Sequence, residues 1–192
     1  PATFELAPVV SRAIELCRLR LNELGERFSF RAPAGGIQAH GTADALTHAL
    51  TNILHNALDS IGEAGGSGRL AVRVLTIAGA KPRVEIRVSD EGTGIRPEVL
   101  ERIFEPRFTT KPRSKGSGLG LSIARRMIEA VGGEVTVVPP GEAVREPWAK
   151  TEFRVVLEAE PPPAVAARPP SPAPSPTPAA DPAKADPGGS VL

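Results

Sequence analysis

Between residues 43 and 61, Leu46, Leu50, Ile53, Leu54, Ala57, Leu58 and Ile61 recur at intervals that place them on one broad apolar face of a helix. A face that wide must be covered by another layer of structure, and the rest of the chain supplies it. Gly62, Gly65, Gly66 and Gly68 break the helix, and two β-rich runs follow: 69–78 (Leu70, Val72, Val74) and 83–89 (Val84, Ile86, Val88). Lys81-Pro82 joins them as a hairpin. Phe28 and Phe30 alternate with polar neighbours as a short strand, and 133–138 and 151–158 read as two more. Helical spacing also covers 8–24 (Val10, Ile14, Cys17, Leu21, Leu24), with Gly25 as its stop, and 118–131, which ends at Gly132-Gly133. Helices and strands interleave, yet hairpin pairs dominate the β part. The expected fold is therefore α+β, a mixed sheet with helices on one face, and not a doubly wound parallel sheet.

Proline marks where this pattern stops. Of the 192 residues, 21 are Pro, and 11 of those lie in 161–192 beside 8 Ala. That segment has no aromatic residue and balances Arg168 and Lys184 against Asp181 and Asp186, so it cannot bury enough apolar surface to offset its ordering entropy. A disordered, partly polyproline-II tail is expected there, serving as a spacer. Net charge is +1, which argues against a nucleic-acid binder because phosphate-backbone affinity needs a surplus of Lys and Arg. A lone cysteine, Cys17, rules out a disulfide framework and a cysteine-based zinc site, and its helical apolar position suggests core. No run reads as a membrane span or signal peptide. The chain begins at Pro1 and its single methionine is Met127, so a piece of a longer protein is expected.

Four groups of residues carry candidate chemistry. Asn52, Asn56 and Asp59 stack on one face of the 43–61 helix, where asparagine is a poor helix former. They either solvate the helix, or the Asn56 amide oxygen ligates a hard cation such as Mg²⁺. Asp90-Glu91-Gly92-Thr93-Gly94-Ile95 follows a strand directly: a buried carboxylate at Asp90 can accept a hydrogen bond from an exocyclic amine, and the glycines let backbone approach a flat ligand. Gly116-Ser117-Gly118-Leu119-Gly120-Leu121 opens a helix and exposes backbone N–H groups suited to phosphate oxygens, although its spacing fits neither the dinucleotide nor the P-loop fingerprint. Before it lies Phe104-Glu105-Pro106-Arg107-Phe108-Thr109-Thr110-Lys111, in a loop long enough to act as a lid over a nucleotide.

In this order and separation, Asn-x-x-x-Asn-Ala, Asp-x-Gly-x-Gly-Ile, Phe-Glu-Pro-x-Phe-Thr-Thr-Lys and Gly-x-Gly-Leu-Gly-Leu resemble the ATP-binding catalytic domain of bacterial two-component sensor histidine kinases. The resemblance covers about residues 4–158, and the segment Asn52–Ser60 is most similar to the nitrogen-regulation type. It implies a Bergerat-type sandwich binding ATP with Mg²⁺. Asn56 would meet the metal with Asn52 in support, Asp90 the adenine amine, Gly92, Gly94 and Ile95 the base, and backbone from Gly116 to Gly120 the phosphates. Lys111 would approach the phosphates from the lid, and Thr151 stands where the family has a small hydroxyl near adenine. Three positions depart from the pattern: Lys150 replaces a usual glycine, Arg107 a common aromatic, and Asp59 a residue basic in many relatives.

ATP hydrolases of the wider superfamily place a Glu one turn before the metal-binding Asn, to activate water. This chain has Asn52 there, and an amide cannot take that proton, so a kinase is favoured. The acceptor histidine of such kinases precedes an acidic residue on a helical hairpin. His40, read here as lying in a glycine-flanked turn, and His48 and His55, on the Asn helix, do not match it. The resemblance thus implies a 1–25 linker helix, a 26–160 catalytic domain and an acceptor hairpin outside this chain that also makes the homodimer. It further implies relay to a response regulator and a cytoplasmic site of action, compatible with a membrane-tethered parent. The alternatives are a degenerate nucleotide-binding scaffold and an anti-sigma-type serine kinase.

Overall fold

The computed structural model describes residues 2–111, 118–139 and 146–160, and the expected tail lies outside them. Along the chain run β1 (Thr3–Glu5), α1 (Leu6–Leu16), α2 (Arg18–Asn22), β2 (Phe28–Arg31), β3 (Gln38–His40), α3 (Ala43–Glu63), β4 (Leu70–Ile77), β5 (Arg83–Asp90), α4 (Gly120–Glu129), β6 (Glu134–Val137) and β7 (Thr151–Glu158). The main sheet has the order β2-β4-β5-β7-β6. Only β2 and β4 pair in parallel; the other neighbours are antiparallel, so the sheet is mixed as expected.

Period-two alternation sends Leu70, Val72 and Val74 of β4, Val84, Ile86 and Val88 of β5, and Phe153, Val155 and Leu157 of β7 into one apolar core. The wide face of α3 meets them with Leu46, Leu50, Ile53, Leu54, Ala57 and Ile61, each at most 2 % exposed. Burying a side chain of the Leu or Ile class contributes about 1.5–3 kcal/mol, so this face holds the helix against the sheet. Asp44 in the first turn favours the helix dipole, and Gly66 N–H closes the far end on the Ile61 carbonyl (2.8 Å). Along α1 and α2, Leu6, Val10, Ala13, Cys17 and Leu21 join the same core.

Two local expectations change. The helix read over 8–24 breaks at Cys17, whose backbone (φ −99°, ψ 4°) leaves the helical region before α2 resumes. The apolar positions still face inward across the break, which is why spacing alone shows one helix. His40 sits in β3 opposite Thr3 and not in a turn. That small β1–β3 sheet has three residues per strand, too few for a period to appear.

On the sheet face away from the helices, Arg87 (3 % exposed) bonds Glu85 at 2.7 Å and Glu152 at 3.0 Å. Arg73 reaches Glu152 at 3.2 Å and Glu146 at 3.3 Å, and Ser89 Oγ donates to Glu152. Charges this well buried are tolerable only because each is paired and hydrogen-bonded. No helix among the described residues is long and apolar enough to cross a membrane.

Candidate functional site

The alternation that fills the core also places Asp90 and Thr151 side by side. Asp90 is the last residue of β5 and Thr151 the first of β7, and the two are register partners. Both are buried, at 1 % and 3 % exposed, on the helix side of the sheet. The Gly92 N–H donates to Asp90 Oδ1 at 3.0 Å, and Lys150 N–H to the Asp90 carbonyl at 2.9 Å, so carboxylate and backbone are both held. These two residues form the floor of a cleft of about 490 Å³, within the size range of small-molecule sites.

One wall is α3. Asn52, Asn56 and Asp59, set at intervals of four and three, all line the cleft, joined by His55 between them. Among the described residues neither Asn amide makes a side-chain hydrogen bond, which leaves both available to a ligand. The opposite wall is apolar, with Ile95, Val99, Ile103, Phe108 and Leu121. A polar floor beside one apolar wall suits a flat heterocycle with one exocyclic donor.

Towards Asn52 the site changes character. Gly120 begins α4, and a Cβ built there would stand 3.7 Å from Asn52 Oδ1, so the positive end of α4 abuts the Asn face. Gly118 also lines the cleft, at φ +67°, and a Cβ there would come within 2.6 Å of the Arg107 carbonyl carbon; only glycine fits. Arg107, itself left-handed at φ 66°, donates its N–H to the Gly118 carbonyl at 2.9 Å. Lys111 bonds Asp59 Oδ2 through Nζ at 2.9 Å, while Arg20 Nη2 holds Oδ1 of the same carboxylate at 2.8 Å. Partial burial alone would raise the Asp59 pKa, but the hydrogen bonds from Lys111 and Arg20 outweigh it and hold the carboxyl below its ordinary value.

Of the residues singled out from sequence, Asn52, Asn56, Asp59, Asp90, Gly94, Ile95, Lys111, Gly118, Gly120 and Thr151 all line this one cleft. Gly92 does not: it is turned onto α3, where a Cβ would overlap Ser60 Oγ. Leu119 is 38 % exposed and caps α4. Gly116 and Ser117 lie outside the described residues. Sequence reasoning left out His55 and Ser60 of α3, although both share its cleft face, and Val99 and Ile103, whose spacing of four was a readable signal. It also left out Arg20, for which nothing in the sequence pointed towards the cleft. Trp148 packs under the Arg69 guanidinium (4.9 Å), which in turn pairs with Glu91 at 2.8 Å.

The family described as histidine kinase-, DNA gyrase B- and HSP90-like ATPase matches residues 41–161, more than half of the chain. The chain belongs to this ATPase family. Its relatives include the two-component sensor PprA of Pseudomonas aeruginosa, 42 % identical over 112 residues, or 58 % of this chain and 12 % of that protein. Another is the sensor histidine kinase ZraS of Salmonella typhimurium, 35 % identical over 137 residues, or 70 % of this chain and 28 % of that one. The chain therefore spans well under a third of these curated relatives. Among solved structures, the mycobacterial sensor histidine kinase MprB superposes with a TM-score of 0.64 at 28 % identity, covering 83 % of this chain and 98 % of that one. A catalytic domain of histidine kinase ThkA gives 0.62 at 26 %, covering 82 % and 94 %. The ATPase fold here is thus the nucleotide-binding catalytic domain that sensor histidine kinases carry.

Proposed function

We propose that this chain holds ATP with Mg²⁺ and presents the γ-phosphate to a histidine carried outside it, for relay to a response regulator. The observation that carries the reading is the cleft itself. A buried carboxylate and hydroxyl form its floor, and Asn52 and Asn56, whose amides are free of side-chain partners among the described residues, line it, Asn52 beside the N-terminus of α4. Asp90 Oδ accepts from the adenine amine, with Thr151 beside it, and Gly94 and Ile95 flank the base. The α4 N-terminus and the Gly118–Gly120 backbone face the phosphate oxygens, and Lys111 adds a cation.

A test of fit supports the metal. No group of three or more His, Cys, Asp or Glu side chains able to hold an ion exists among the described residues. Asp59 is engaged by two cations. The protein thus offers Asn56, with Asn52 behind it, as neutral hard-oxygen donors. That suits Mg²⁺, which takes most of its ligands from phosphates and water. Bound there, the ion would neutralise charge on the phosphates.

Phosphoryl transfer then needs little covalent work from the protein. The acceptor imidazole nitrogen attacks the γ-phosphorus, the bond to the β–γ bridging oxygen breaks, and ADP leaves. Asn52 cannot serve as a base for water, and the paired Asp59 is poorly suited to it, so bound ATP is kept for the histidine. Residues 1–25 would connect to the hairpin bearing that histidine and forming the homodimer, and the site of action would be the cytoplasm.

Calorimetric titration of ATP into the chain, with and without Mg²⁺, tests this reading beside Asp90→Asn. Losing a hydrogen bond to a charged group costs about 1.5–3 kcal/mol, so the variant should bind roughly ten- to a hundredfold more weakly while staying folded. Equal affinity in parent and variant would overturn the pocket assignment.

A further inference from the structure

We infer that Arg20, on α2 and outside the cleft, is a positioning residue for the nucleotide phosphates, acting through Asp59 on Lys111. The inference rests on the nucleotide reading above. Its basis is a shared counter-ion. One carboxylate serves two cations: Asp59 Oδ1 takes Arg20 Nη2 at 2.8 Å and Oδ2 takes Lys111 Nζ at 2.9 Å. Asp59 and Lys111 line the cleft, whereas Arg20 belongs to the N-terminal helical segment. A second guanidinium nitrogen, Arg20 Nη1, lies 3.4 Å from His55 Nδ1, and Cys17 Sγ lies 3.9 Å from His55 Nε2. The turn between α1 and α2 is therefore tied to the Asn-bearing face of α3 at two successive turns, His55 and Asp59.

The arrangement has a consequence for an anionic ligand. As long as Lys111 is bound to Asp59, its charge is neutralised by that carboxylate. A phosphate that recruits Lys111 must draw it from Asp59, leaving that carboxylate with Arg20 as its counter-ion. Without Arg20, the carboxylate would be unpaired beside the phosphates, so it would hold Lys111 harder and repel the ligand. Arg20 thus makes the release of Lys111 affordable. Because Arg20 rides on α2, any displacement of that helix changes the affinity for phosphates without touching the adenine floor.

A double-mutant cycle read with two ligands tests this. Affinities for Mg²⁺-ATP and for adenosine, which has no phosphate, are measured for the parent, Arg20→Gln, Asp59→Asn, the combined variant and Arg20→Lys. Arg20→Gln should weaken ATP about fivefold and leave adenosine unchanged; in the Asp59→Asn background it should do nothing, and Arg20→Lys should recover most of the loss. Undiminished ATP affinity in Arg20→Gln would overturn the inference. So would an equal loss for adenosine, or the same loss in the Asp59→Asn background, because each would mark a general disturbance of packing. Failure of the parent to bind ATP or adenosine would instead remove the nucleotide reading, and the inference with it.

Discussion

Replacing Gly92 with alanine probes how the floor of the cleft is fastened to its wall. Gly92 is buried, and a Cβ there would overlap Ser60 Oγ and stand 2.6 Å from both the carbonyl carbon and Cβ of Ser60. The hydroxyl could rotate aside, but the carbonyl carbon is helix backbone, so either α3 or the loop at 90–94 must move. Overpacking of this kind costs about 1–3 kcal/mol. The same movement breaks the bond from Thr93 N–H to Ser60 Oγ, 3.0 Å in the parent, at about 1 kcal/mol more. The total of about 2–4 kcal/mol should lower the melting temperature by roughly 4–16 °C for a domain of this size. Nucleotide affinity should fall too, because the Gly92 N–H orients Asp90 Oδ1. Adding Ser60→Gly removes Oγ and Cβ but not the carbonyl carbon, so the double variant should recover only part of the stability. Circular-dichroism melting of the parent and the two variants, with an ATP titration of each, makes the check. A Gly92→Ala protein that melts within about 2 °C of the parent and binds ATP equally well would refute the close-approach argument.

Asn56→Ala should abolish the Mg²⁺-dependent part of ATP binding and leave the metal-free part in place; calorimetry showing the same Mg²⁺ enhancement in both proteins would contradict the ligand assignment. Arg87→Met leaves Glu85 without its cation and Glu152 with Arg73 alone in a buried setting, and should cost about 3 kcal/mol in urea denaturation; adding Glu85→Gln should recover much of it. Asp59 has its pKa depressed in the fold, so its contribution is complete above the unfolded value near pH 4 and disappears as pH falls through the lower folded value. With the pair partly solvated, the stability gap between parent and Asp59→Asn should be under about 1 kcal/mol at neutral pH and should narrow on acidification. A gap that widens in acid would show the sign to be wrong.

The sheet and the long helix were legible because both carry a strong period over many residues. Leu46 to Ile61 mark α3 without ambiguity, and the Val-rich alternation of β4, β5 and β7 shows which face is buried. The asparagines and glycines gathered at the cleft were legible for a different reason: asparagines in mid-helix and glycine-rich turns after a strand run against local propensity and so call for an explanation, whereas Lys111 and Thr151 followed only from the resemblance. What remained hidden depends on contacts between distant segments. The break at Cys17 is masked by apolar spacing that continues through it. Gly92 reads as a turn residue until α3 is seen beside it. Arg73, Glu85, Arg87 and Glu152 alternate with core residues just as solvent-facing positions do, and only the folded chain shows them enclosed and paired. Arg20 is one of many exposed-looking arginines until Asp59 is placed against it.

The three inner strands of the main sheet run eight residues each, whereas the strands at its two margins, β2 and β6, run four. An open margin of four residues is only about 13 Å long, so a second copy of the domain laid against it could gain only a few hydrogen bonds for the freedom it gives up. Phe30, 37 % exposed on β2, would otherwise invite such growth, and Arg31 beside it adds charge at the same margin. Shortness here is a safeguard against polymerisation. It lets copies of the domain meet at high concentration without adding strands edge to edge, and an insertion lengthening β2 would remove that protection before it touched the cleft.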